Sequence, residues 1–179
     1  MPVQANIPQV ASFRRPRNDC VATFLSTAAL HFVGERYSKS QLFQAFADRI
    51  DSNWRETGEL PLVNEKGVFA CFDSTIQDLK VGLRIGLTRF RDIPYEGYYD
   101  FADEQIRSGK FIGIGYRSRF VFGGTTDDLH MSAVERITVG HVYLQDAELE
   151  SNSPVSWETI ELATLSAESG FWTISKLIL

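Results

Sequence analysis

Cys20 is the residue whose position most suggests chemistry. It follows Asn18 and Asp19, both favoured helix N-caps, and opens a long apolar run. A sulfur so placed sits where unpaired backbone N–H groups and the helix dipole favour an anion. A thiolate is such an anion, and with an imidazolium beside it the sulfur becomes a nucleophile near neutral pH. The competing reading is a buried structural thiol, because cysteine packs as a small hydrophobe. Cys20 taken alone leaves both open.

A base and an orienting acid come from the second half of the chain. His130 opens the strand-like run 130–138, Asp146 stands near the end of the run 141–147, and Val139-Gly140 between them reads as a hairpin turn. In a regular hairpin with an even pairing sum, both side chains emerge on one face at one end. The carboxylate then accepts a hydrogen bond from one ring nitrogen while the other nitrogen faces the thiolate, which is the logic of a nucleophile–base–orienter triad. Without that spacing, His130 reads as a capping or surface histidine. His141 is an odd number of residues from Asp146, hence on the opposite face of the same strand, and reads as structural. His31 is about three helical turns from Cys20 and too distant to act on it. Cys71 reads as a core or loop thiol.

The elements that must position these residues can be read from periodicity and punctuation. The run from Cys20 to Val33 is apolar nearly all round, which marks a buried central helix ended by Gly34. A second helix is expected over 40–50, followed by loop with short pieces of order over 51–72. Asp73-Ser74-Thr75 is expected to cap a third helix over 76–86, and a fourth covers 100–108 up to Gly109. Residues 111–116 read as a buried strand with 117–122 as its extension. After the hairpin, a helix starts at Ser156 and a strand covers 170–174. Helices first and strands later is the order of an α+β fold.

Composition sets the outer bounds. The 179 residues suit one domain, 1–179, with 1–17 as an extended arm. A hydrophobic fraction of 44% and 13 phenylalanines can offset the ordering entropy by burial. The net charge of −5 argues against gripping a phosphate backbone, and the Arg14-Arg15-Pro16-Arg17 cluster reads as a solvated loop. Two distant cysteines offer neither a disulfide framework nor a CxxC motif. No metal motif is present, and Gly123-Gly124-Thr125-Thr126 lacks the lysine of a phosphate loop, so no cofactor or metal is expected. No membrane span is expected and the first thirty residues lack a signal-peptide pattern, so the expected location is cytoplasmic.

Three segments together resemble the C39 peptidase and C39-like branch of the papain-like superfamily. The first is Asn18-Asp19-Cys20 with its small-residue apolar helix and the second helix at Ser38-Lys39-Ser40-Gln41-Leu42. The second is Ile106-Arg107-Ser108-Gly109-Lys110 running into Phe111-Ile112-Gly113-Ile114-Gly115-Tyr116. The third runs from His130 through Val142-Tyr143-Leu144-Gln145-Asp146, then Val155-Ser156-Trp157-Glu158 and Gly170-Phe171-Trp172. In order and approximate spacing the resemblance covers most of the chain from residue 18 onward. It implies a papain-like architecture in which a central helix bearing the nucleophile packs against a C-terminal antiparallel sheet. Cys20 is then the nucleophile, His130 the general base and Asp146 the orienting acid.

Two departures from the family pattern bear on activity. Members usually follow the nucleophile with Gly, where this chain has Val21, a branched side chain able to crowd substrate. They also carry a Gln about six residues before the cysteine as an oxyanion donor, where this chain has Arg14. Gln9 takes that role if the arginine-containing loop is an insertion, with Ser12 a weaker candidate. Losing one such donor costs about 2.7–4 kcal/mol of transition-state stabilisation. The expected function is a cysteine hydrolase acting on a peptide or related amide bond of a peptide or protein substrate, or an acyl transferase using the same residues. The alternative is a catalytically silent papain-like binding or structural module within a larger assembly such as a phage particle or secretion complex.

Overall fold

The computed structural model describes residues 3–4, 19–58, 65–123, 128–146, 153–163 and 169–177. After a short strand β1 (Val3–Gln4) come three helices, α1 (Asp19–Val33), α2 (Lys39–Thr57) and α3 (Glu65–Asp78). Helix α1 is central: Val21, Phe24, Leu25, Ala28 and Ala29 are each at most 1% exposed, as its nearly unbroken apolar sequence requires. Gly34 ends it at φ 60°, in the left-handed region that glycine enters without steric cost.

The remaining strands form one antiparallel sheet in the order β2-β7-β3-β4-β5-β6. They are β2 (Leu83–Arg89), β3 (Phe111–Arg117), β4 (Leu129–Ile137), β5 (His141–Gln145), β6 (Pro154–Ser156) and β7 (Gly170–Lys176). Strand β1 pairs with Arg136 and Ile137 of β4, past the stretch of β4 that pairs with β3. The other described α-helices are α4 (Tyr98–Arg107), α5 (Ser118–Phe122) and α6 (Trp157–Ala163).

The sheet is covered on both faces. Helices α1, α2 and α3 pack with Phe111, Met131, Ala133, Trp172 and Ile174 on one side, whereas α4 and α6 pack with Ile112, Ile114, Tyr116, Val134 and Phe171 on the other. Strand β3 lies in the middle and sends alternate residues to the two clusters, which explains why it reads as an unbroken apolar run. At Gly113 an added Cβ would overlap the Phe24 ring, so bare backbone is what lets α1 lie so close to the sheet. The expected α+β, papain-like arrangement of a central helix on an antiparallel sheet is present.

Several local expectations are corrected. The helix expected over 76–86 is the last turn of α3 followed by β2. Asp73-Ser74-Thr75 does not cap it but lies inside α3, where the Thr75 hydroxyl donates to the Cys71 carbonyl at 2.7 Å. Leu83 and Leu87 satisfy period 2 as well as a helical stripe, and pairing of the whole strand with β7 decides the matter. The stretch 51–72, expected as mainly loop, is largely helix: α2 continues to Thr57 and α3 starts at Glu65. Of the extension of β3 expected over 117–122, Arg117 belongs to the strand and 118–122 are α5. The β3–β4 ladder ends at Arg117–Leu129, so the backbone beyond it has no strand partner and coils on itself. Most of the arm expected over 1–17 lies outside the described residues, as does the cluster Arg14-Arg15-Pro16-Arg17.

Candidate active site

Cys20 lies in the first turn of α1 and is partly buried. Val21, whose branched side chain raised the prospect of crowding, is fully buried on the core side of the helix. Cys71 is a core thiol in α3, 1% exposed, and its sulfhydryl donates to the Arg49 carbonyl at 3.7 Å. Burial pushes that thiol up to about 11, offset in part by the Arg49 charge and reinforced by Glu56, so it stays protonated. His31 is exposed near the other end of α1, about 16 Å along the axis from Cys20. His141 is exposed beside the β4–β5 turn, where its backbone bonds to Thr138.

His130 and Asp146 come together, though not through a regular hairpin. Next to the turn, Ile137 pairs with Val142 and Arg136 with Tyr143, an odd pairing sum. Further on, Val134 pairs with Leu144 and Ala133 with Gln145, an even sum. The register change between Val134 and Arg136 leaves Glu135 as the extra residue of a β-bulge. Continued without the bulge, the odd register would place Asp146 opposite Ala133, on the side that packs against α1. With it, Asp146 falls opposite Ser132 and on the face that carries His130. The Arg136 guanidinium stacks on the Tyr143 ring at 3.6 Å on the turn side of the bulge.

The resulting contacts form a continuous chain. His130 Nε2 lies 2.5 Å from Asp146 Oδ2, and the Ser132 hydroxyl donates to the same oxygen at 2.6 Å. Tyr116, opposite His130 in the β3–β4 ladder, has its hydroxyl 2.7 Å from Ser132 Oγ. The Tyr116 and Phe122 rings flank His130 at centroid distances of 5.6 and 5.2 Å. His130 is 18% exposed and Asp146 8%. Cys20 neighbours His130 from the helix side, close enough for its sulfur to favour the protonated ring, and with Nε2 given to Asp146 it is Nδ1 that is left for the sulfur. Burial opposes a charged ring here. It is outweighed by the hydrogen bond to Asp146, by the neighbouring Cys20 sulfur and by the charges on both, which together raise His130 from an ordinary 6.5 to about 10. The arrangement suits a ring held protonated beside a sulfur and able to pass that proton on.

His130 and Asp146 are therefore hydrogen-bonded with Cys20 beside the ring, whereas His31, His141 and Cys71 stand apart from them. Gln9 and Ser12 lie outside the described residues. Sequence reading missed Ser132 and Tyr116. The signal available was period 2: Ser132 follows His130 by two and must share its face, where a hydroxyl among apolar neighbours calls for a partner. In the aromatic stretch Pro94–Tyr99, Tyr98 packs 4.8 Å from Phe90 and is 5% exposed, while Tyr95 is 37% exposed. A separate cavity of about 680 Å³ opens at the far end of α1, lined by His31, Arg84, Lys110 and Lys176 among others. Among the described residues, no group of three or more His, Cys, Asp and Glu is arranged to hold a metal ion, and no helix is long and apolar enough to cross a membrane.

No protein-family model and no curated protein sequence matches the chain. The fold matches a crystal structure described as a "putative C39-like peptidase from Bacillus anthracis", with a TM-score of 0.65 over 100% of both chains at 16% sequence identity. At that identity the likeness is one of fold, and the fold of this chain is that of a C39-like peptidase.

Proposed function

We propose that the protein is a cysteine hydrolase that cleaves a peptide or related amide bond with Cys20 as nucleophile, His130 as proton carrier and Asp146 as orienting acid. The observation that carries this reading is His130 hydrogen-bonded to Asp146 with the Cys20 sulfur beside the ring. With its proton already held by His130, the Cys20 sulfur attacks the substrate carbonyl. His130 returns the proton to the departing amine, leaving an acyl-thioester on Cys20. His130 then takes a proton from water, the hydroxide adds to the thioester carbonyl, and the acid product leaves with the sulfur free. The peptidase description of the structural neighbour supports the substrate class, and burial of Val21 in the core leaves the space beside the sulfur clear of its side chain.

The test is cleavage of a diverse peptide library read by mass spectrometry. Wild type and Cys71→Ala are expected to produce the same cut sites, while Cys20→Ala and His130→Ala produce none. Cleavage that survives Cys20→Ala, or none by the wild type across the library, would overturn the reading in favour of a silent binding or structural module.

A further inference from the structure

We propose that Ser132 and Tyr116 are positioning residues, holding the Asp146 carboxylate on His130 through a one-way hydrogen-bond relay. The inference rests on the hydrolase reading above and adds to it two residues that touch neither the sulfur nor the scissile bond.

The direction of the relay follows from donor accounting. A serine hydroxyl has one proton, and Ser132 gives it to Asp146 Oδ2 at 2.6 Å. The 2.7 Å contact between the Tyr116 and Ser132 oxygens must then run from the phenol to the serine. Each oxygen along Tyr116, Ser132 and Asp146 thus accepts from the one before, and the negative charge at the end polarises the whole series. Burial makes the arrangement consequential: Tyr116 is 0% and Ser132 2% exposed, so neither hydroxyl can take water in place of its partner without opening the core. Asp146 follows the last residue of β5, one beyond the Ala133–Gln145 pair. The serine constrains it through the side chain. It holds Oδ2 in the place where the imidazole Nε2–H also donates, fixing the ring so that Nδ1 faces Cys20. Among the described residues, the titratable groups that meet the His130 ring are Cys20 from α1, Asp146 beyond β5 and Tyr116 from β3, with the apolar Phe122 closing the remaining side.

The test is the titration of the His130 ring followed by NMR in the full chain, together with the rate of Cys20 alkylation by iodoacetamide at pH 7. Ser132→Ala is expected to lower the His130 midpoint and to slow alkylation about tenfold, the loss of one hydrogen bond to a charged group. Ser132→Thr, which keeps the hydroxyl, is expected to restore both. Tyr116→Phe should move them in the same direction by less, and Ser132→Ala combined with Tyr116→Phe should match Ser132→Ala alone, because the relay is already cut. An unchanged or raised midpoint in Ser132→Ala, or additive effects in the double variant, would overturn the relay while leaving the hydrolase reading intact. A wild-type His130 that titrates near 6.5 would overturn the relay together with the triad on which it rests. Should Ser132→Ala fail to fold, Tyr116→Phe against wild type still decides the question.

Discussion

His130 and Asp146 share a face of the sheet because the strand between them is bulged at Glu135. One extra backbone residue converts an odd register into an even one. The bulge absorbs the extra residue outside the ladder, so that Asp146 still falls opposite Ser132. Deleting Gln145 is expected to set Asp146 opposite Ala133 on the α1 side and to abolish the His130–Asp146 hydrogen bond, whereas deleting Glu135 removes only the bulge, leaves Asp146 opposite Ser132 and keeps it. The His130 ring resonances in the two variants distinguish these outcomes, with circular dichroism showing that the sheet is retained.

The raised affinity of His130 for its proton is expected to show as an imidazolium spectrum through pH 8, with titration near 10. Because the neighbouring Cys20 sulfur and its charge both contribute, Cys20→Ala should lower the midpoint. Asp146→Ala should lower it as well, leaving burial, which disfavours the charged ring, less opposed. NMR titration of the three proteins is the measurement. A midpoint that does not respond to either substitution would detach His130 from both partners.

The two cysteines should behave differently toward iodoacetamide at pH 7. Cys71, in the core and held up to about 11, is expected to stay unmodified until the protein is unfolded, while Cys20 reacts in the native state. Peptide mapping before and after denaturation reads both sites in one experiment.

The seating of α1 depends on Gly113. Gly113→Ala drives a methyl group into the Phe24 ring and is expected to destabilise the fold by about 1–3 kcal/mol, as overpacking does. Phe24→Ala should cost about 3–5 kcal/mol, and the two changes combined should cost less than their sum because the second opens space for the first. Urea denaturation of the four proteins measures the coupling.

What the sequence disclosed, it disclosed where local pattern and tertiary environment agree. The all-round apolar run from Cys20 to Val33 could only be a buried helix, and β3 could only be a strand covered on both faces. Residues 83–87 obeyed two periodicities at once, and the choice was made by β7, distant in sequence. Helix α2 was read too short because its last turns carry Asp51, Ser52, Arg55 and Glu56, polar residues suited to a solvated helix end as much as to a loop. The meeting of His130 and Asp146 was anticipated from an even pairing sum, but the evenness comes from the bulge at Glu135, for which nothing in the local residue types gives a sign. Ser132 went unread because a lone serine in a strand is unremarkable until the carboxylate it serves is located.

The most direct test of the account is whether Cys20 carries the acyl group. The protein would be mixed with an activated ester of a short peptide, quenched at intervals, and mapped by mass spectrometry. The account predicts one acyl group on Cys20 that turns over in the wild type and fails to form at a comparable rate in His130→Ala. Acylation of Cys20 at equal rates in both proteins, or modification only at other residues, would contradict it.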